Sequence, residues 1–592
     1  MTDVWRLGAG LEQQALPFLP GLAFNLALSG LTAAVLWLSL GGHAGPFARR
    51  TGILVTASLL AGLLIGFLAL ALALAGWFSP ASFYALWAAA LGLGLAHAVR
   101  SGRWRDALAS WRAAAPLPRW LPLLLLLWLL LYTRPFELVV GGRDPGIYVN
   151  TAAQIATTGR LALPDPFFAR LSAEDQALLT WQPPWLPDFV PHKWPGFFWN
   201  AERAEVTPQF VYFYPALMAA SYAVAGHGGA LTVLPLVSLL FALVLAELAE
   251  HISGAAYWGV RWRAPVAALG LLLNPASYWF GRYANADVLF GLWVWAALLF
   301  WARTEAAERM SQAESSSALS GGPHDQAAPG LGGTQSKDAA HGGTPGRAFS
   351  WTLAALTFGA ALLTKIDSWY IAPAVLVALL VYHPARGTLK SRVPWLAWML
   401  VAACYLVMVA RYSYPYMLGI LAGEGIAVPF DHRIAIALTG LYLAGLTVAG
   451  LLPDVLRARR KGILSGDYDQ PRNKGILSGE PHDQAAPGSC GTQSKDVFLP
   501  ARTVAIAGLC LALTLFFAWS LPSNVPVLRS LTILNTYLGP VLLLAAALGI
   551  GQLIVWPNQG RVAWVLLAMF FTGGLFIITR TYWTDYPWAI RR

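Results

Sequence analysis

Asp144, Arg282, Asp287, Lys365 and Arg411 stand at the edges of strongly apolar runs. A charge in or beside a bilayer is costly unless it is paired or faces water, so each is a functional candidate by default. A carboxylate in such a place can accept a proton from an attacking hydroxyl or orient it. Arg and Lys can hold a phosphate whose negative charge grows as a bond to it breaks.

Asp144 opens the stretch Asp144-Pro145-Gly146, a few residues beyond a run at 121–131 made almost wholly of Leu and Trp. Gly141 and Gly142 let the backbone turn out of that run, and Arg143 precedes the carboxylate. From Ile147 an apolar pattern through Ala152, Ile155 and Ala156 predicts a helix, with Tyr148 in its first turn and Gly159 as its C-cap. Two readings of Asp144 stay open: a group at the outer membrane surface that meets a lipid-borne substrate, or a side chain that caps its own helix.

Arg282 and Asp287 fall in a second cluster, 274–287, between two apolar runs. Arg282 could grip a phosphate and Asp287 could hold Arg282, or the two could form an internal ion pair that fixes two helices. Lys365 and Asp367 end a further run; Arg411 and Tyr412 begin a connection that carries Glu424 and Asp431. Arg580, Asp585, Arg591 and Arg592 close the chain. The connection at 134–209 also carries Trp181, Trp185, Trp194, Phe197, Phe198 and Trp199, which either anchor at the bilayer boundary or stack on sugar faces.

The elements that position these groups are membrane helices. The chain is 57% apolar and 12% charged, with a mean hydropathy of +0.55, which excludes a soluble globular domain. The expected class is an all-α polytopic membrane protein of about fourteen spans. They fall near 17–40, 52–77, 80–98, 120–138, 230–250, 264–281, 286–303, 350–367, 369–383, 393–411, 433–453, 501–521, 531–555 and 562–579. Basic connections at 47–51, 100–119, 258–263, 386–392 and 457–461 then share one side, the cytoplasmic one. That parity holds only if 208–226, with Pro208 and Pro215, is interfacial or re-entrant.

The regions are therefore N-terminal spans over 1–119 and a core over 120–303 with its outer connection at 134–209. A connection at 304–349 follows, then spans over 350–453, a second connection at 454–499, and C-terminal spans over 500–592. Both connections hold copies of one polar segment, at 319–338 and 477–496, rich in Gly, Pro, Ser and Gln and expected to be disordered and cytoplasmic. The net charge of +11 reports topology, and no nucleic-acid partner is expected. Cys404, Cys490 and Cys510 have no paired spacing, so neither a disulfide framework nor a thiolate metal site is expected.

The order and spacing of these groups resemble the GT-C superfamily of membrane glycosyltransferases. Within it they resemble the protein O-mannosyltransferase and aminoarabinose-transferase group, glycosyltransferase family 39 in type. The resemblance runs over about 120–412 through Asp144, Tyr148, Gly159, Tyr214-Pro215, Pro275, Arg282, Asp287 and Thr364-Lys365. It implies a large first outer loop that is catalytic, a polyprenyl-phosphate sugar donor, an acceptor outside the cytoplasm, and inversion at the anomeric carbon, in the plasma membrane. It also implies a role for Asp144 as base or orienting charge. Arg282, Lys365 and Arg411 would hold the leaving phosphate, with Asp287 positioning and Arg143 and Tyr148 lining the substrate. Many relatives carry two adjacent acidic residues at the loop's start, whereas Asp144 is followed by Pro145; a second carboxylate would come from Asp165, Glu174, Asp175 or Asp188. Mg2+ or Mn2+ could be held by carboxylates near a phosphate. Related sequences typically continue past Arg592, the mark expected of a truncated or split reading frame. A transporter or flippase of lipid-linked sugar or another anion is the main rival, and a scaffold protein a third reading.

Overall fold

The computed structural model describes residues 18–41, 49–136, 144–180, 192–194, 196–252, 263–320, 344–365 and, further on, 397, 401, 404, 405 and 407–413. Helices α1 (Phe18–Leu40), α2 (Arg50–Ala75) and α3 (Pro80–Arg100) come first, and their sequences dictate their ends. Gly76, at φ 71°, closes α2 in the left-handed conformation, its N–H donating to the Ala73 carbonyl at 3.1 Å. Ser79 and Ser82 form a reciprocal capping box that starts α3, with Pro80 in the first turn. The short α4 (Arg103–Ala113) carries the basic connection; Arg50 donates to the Trp111 carbonyl at 3.2 Å and lies over its ring. Helix α5 is Leu121–Tyr132, shorter than the span expected at 120–138.

Helix α6 (Asp144–Thr158) follows, then β1 (Leu163–Pro164), α7 (Pro166–Ala169), α8 (Ala173–Leu179), β2 (His192–Trp194), β3 (Phe197–Asn200) and β4 (Glu205–Pro208). The strands form an antiparallel sheet in the order β1-β4-β3-β2, with Trp199 opposite Val206 and Phe198 opposite Thr207. The described residues are mostly helical, as expected, and this small sheet lies among the helices. Consecutive aromatics at Phe197–Trp199 and the β-branched Val206 and Thr207, between prolines, favour a small sheet over further helix.

Helix α9 (Phe213–Ile252) is broken at Gly226, whose φ of 58° and ψ of −147° no helix contains. The chain folds back there: a Cβ on Gly229 would lie 2.5 Å from the Ser221 carbonyl oxygen, whereas residues eight apart in a continuous helix are separated by about 12 Å. Buried Asn25 of α1 ties both arms, accepting from the Ser221 hydroxyl at 2.5 Å and donating to Gly229 O at 2.8 Å and Thr232 Oγ1 at 2.9 Å. The first arm is buried against α2, where a Cβ on Gly66 would meet the Phe213 ring at 2.3 Å.

The core closes with α10 (Arg263–Leu272), α11 (Pro275–Phe280), α12 (Asp287–Ser320) and α13 (Thr344–Thr364), and a π-helical turn covers Val409–Ser413. The single helix expected at 264–281 is two pieces, interrupted at Asn274 before Pro275, which restricts the residue ahead of it. Helix α12 runs on to Ser320 and α13 begins at Thr344, so the described parts of the 304–349 connection are helical where disorder was expected. Among the described residues five helices are long and apolar enough to cross a membrane: Phe18–Leu40, Arg50–Ala75, Pro80–Arg100, Phe213–His251 and Asp287–Thr304. The protein is therefore a polytopic membrane protein. The spans expected at 369–383, 433–453, 501–521, 531–555 and 562–579, and the insert copy at 477–496, lie outside the described residues.

Contacts sort the helix ends into two sets. Arg49 before α2 pairs with Glu250 near the end of α9 at 2.9 Å. At the opposite end, Tyr412 donates to the Leu74 carbonyl near the end of α2 at 3.2 Å. Tyr132 there joins the ends of α5 and α10 through the Leu272 carbonyl at 2.9 Å.

Candidate functional site

Asp144 is the first residue of α6 and is exposed. One turn on, Tyr148 is buried, stacked on Phe210 with ring centroids 4.8 Å apart and tilted against Tyr214 at 5.3 Å. The strand turn packs over the same end of the helix, for a Cβ on Gly196 would strike Ile147 at 2.2 Å. On another side Val149 belongs to one apolar cluster with Phe18, Leu231 and Ala284, which brings α6 to the segment after Arg282. Gly159 is the expected C-cap, at φ 74°, its N–H donating to Ile155 O at 2.9 Å. Arg143 lies outside the described residues.

Arg282 is 1% exposed, and its guanidinium is engaged within the protein. Nε donates to the Arg134 carbonyl at 2.6 Å, and Nη1 donates to the Tyr278 hydroxyl. The group lies 4.4 Å from the Phe136 ring centroid and 4.9 Å from that of Tyr278. The Phe136 N–H in turn donates to Arg282 O at 2.9 Å. Both backbone and side chain of Arg282 thus fix the chain where it leaves α5 for Asp144.

Asp287 begins α12, 1% exposed, and its carboxylate forms an ion pair with Lys365, whose side chain keeps 18% of its surface. Lys365 follows α13 directly, and its N–H donates to Ala361 O at 3.2 Å. The structure thereby joins two of the residues singled out in the sequence.

Arg411 is carried by the π-helical turn, an arrangement frequent at functional sites. Nη2 donates to Glu205 of β4 at 3.0 and 3.3 Å, and the guanidinium lies 4.9 Å from the centroid of the Tyr412 ring. The turn is tied to the end of the sheet twice more. Arg203 donates to Arg411 O at 3.4 Å, and Ser413 donates to Phe210 O at 2.8 Å.

Sequence reasoning missed Glu205, since nothing in its spacing points to Arg411. It also missed the contact of Lys193 with Asp165. Asp165 caps α7 through the Phe168 N–H at 2.9 Å, while Lys193 lies 4.7 Å from the Phe168 ring centroid. Burial lowers the Lys193 ammonium below the usual lysine range. Of the candidate second carboxylates, Asp165 is committed to this contact, and Asp175 accepts from Ser172 at 2.7 Å. Among the described residues there is no group of three His, Cys, Asp or Glu side chains that could hold a metal ion.

No protein-family model matches the chain, and no curated protein matches it. Among solved structures it is similar to the archaeal oligosaccharyltransferase AglB from Archaeoglobus fulgidus, described in complex with an inhibitory peptide and a dolichol-phosphate. The identity is 13% and the TM-score 0.37, the likeness covering 77% of this chain and 55% of that one. This chain thus spans little more than half the length of that structure, and no residue role transfers from it.

Proposed function

We propose that the protein is an integral membrane glycosyltransferase that moves a sugar from a polyprenyl-phosphate donor to an extracytoplasmic acceptor, with inversion at the anomeric carbon. What supports this reading is that Asp144 is exposed at the start of α6 and that two cations, Lys365 after α13 and Arg411 on the π-helical turn, keep part of their side chains exposed.

Asp144 takes the proton of the acceptor nucleophile, or orients it, as the nucleophile attacks the anomeric carbon. The bond from that carbon to the phosphate oxygen breaks, and the electron pair stays on the phosphate. Lys365 and Arg411 stabilise the charge that develops there. Arg282, enclosed by Arg134, Phe136 and Tyr278, positions the segment that leads to Asp144. Asp287 holds Lys365.

The test is transfer of radiolabelled sugar from a panel of polyprenyl-phosphate sugars to a cell-envelope acceptor extract, with the full chain in lipid. Label should appear in the acceptor and be lost in Asp144→Asn. Label that crosses the bilayer without covalent transfer would establish a flippase instead.

A further inference from the structure

We infer that Glu205 is a displaceable counter-ion, which occupies Arg411 until a lipid-borne phosphate takes its place; this rests on the phosphate-binding role proposed above for Arg411. The pair closes the gap between two separate parts of the chain, β4 of the outer sheet and the π-helical turn, 206 residues apart.

Three features make the pair exchangeable. It is partly open to water, with 36% of the Arg411 side chain and 19% of that of Glu205 exposed. An ion pair open to water is screened and therefore weak. The turn is held independently by Ser413 to Phe210 and by Tyr412 to Leu74, so Arg411 can change partner while its backbone stays seated. Finally, the Arg fork accepts a phosphate in the same geometry as a carboxylate.

The consequence runs both ways. A phosphate that takes Nη2 of Arg411 displaces the Glu205 carboxylate, and the mutual repulsion of two anions at one guanidinium favours that exchange. Once displaced, Glu205 releases one of the ties between the sheet and the turn. Occupancy of the phosphate site is thereby reported to the loop that follows α6.

Binding of a polyprenyl monophosphate is measured with the full chain in neutral-lipid nanodiscs, for the unaltered protein, Glu205→Gln, Arg411→Ala and the double variant. Loss of the competing carboxylate should tighten binding in Glu205→Gln by about two- to fivefold. The double variant should bind like Arg411→Ala alone, since the gain needs the guanidinium. Unchanged or weaker binding in Glu205→Gln, or a gain that persists without Arg411, overturns the inference. An equal gain for inorganic phosphate overturns the lipid source. Transfer activity assayed on the same samples separates the two readings: transfer without the gain sinks only the counter-ion, and the gain without transfer sinks only the enzyme.

Discussion

Asp287 and Lys365 meet as an ion pair at the mouths of two adjacent helices, although 78 residues separate them in the sequence. The carboxylate is buried, and the lysine side chain keeps part of its surface exposed. A pair so placed keeps a cation at the membrane surface without leaving an anion alone in an apolar interior.

The two halves of that pair should not be equivalent on removal. Lys365→Gln removes the Lys365 ammonium from the buried Asp287 carboxylate and should lower stability by about 3 kcal/mol. Asp287→Asn together with Lys365→Gln should lose less than the single Lys365 variant. Thermal unfolding in detergent of Lys365→Gln, Asp287→Asn and the double variant measures this; a double loss equal to the sum of the two single losses would show that the pair is not coupled.

Arg282→Lys keeps the charge but should not keep the structure. A lysine cannot donate at once to the Arg134 carbonyl and the Tyr278 hydroxyl while lying against two rings. The expected loss is roughly 2 kcal/mol. Transfer activity should fall with it, because the segment from Arg134 towards Asp144 loses its anchor. Full activity in Arg282→Lys would show that the anchor does not govern the site.

What the sequence made legible follows from what is local. The ends of α1, α2 and α3 lie within two residues of the expected bounds, because apolar length, Gly76 and the Ser79 box act over a few residues. Gly159 was legible for the same reason. The pairing of Arg411 with Glu205 was not, since side chains two hundred residues apart leave no periodic trace. The surroundings of Arg282, expected to grip a phosphate, were not legible either. A charge beside an apolar run cannot reveal that Phe136, Tyr278 and a backbone carbonyl already surround it. The fold-back at Gly226 was half visible: prolines and a short polar start argued against an ordinary span over 208–226, but the reversal needed Gly226 and Asn25 together.

Gly226→Ala should therefore be poorly tolerated although the position is open. No atom outside its own surroundings stands within 4 Å of a Cβ built there, yet φ 58° with ψ −147° suits glycine almost alone. A cost of about 1–3 kcal/mol is expected from backbone strain. Gly92→Ala, at a helical position that is likewise open, serves as the control. Thermal unfolding that treats the two alike would refute the strained reversal.

The far end of the bundle holds a second buried network, and it makes a prediction independent of any reaction. Glu247 of α9 accepts from Thr51 at 2.5 Å and pairs with Arg303 of α12 at 3.5 Å, and Arg303 donates to Thr56 at 2.6 Å. Three helices are thus joined by one carboxylate and one guanidinium. Gly52 makes room for them: a Cβ there would lie 3.0 Å from both Arg303 Nη2 and Glu247 Oε2. Gly52→Ala should push the pair apart and cost about 1 kcal/mol or more. In a background of Glu247→Leu with Arg303→Met the same substitution should cost little, since the groups it displaces are gone. Unfolding temperatures of the four proteins close the cycle, and an additive result would mean that Gly52 serves the helix contact itself and not the ion pair.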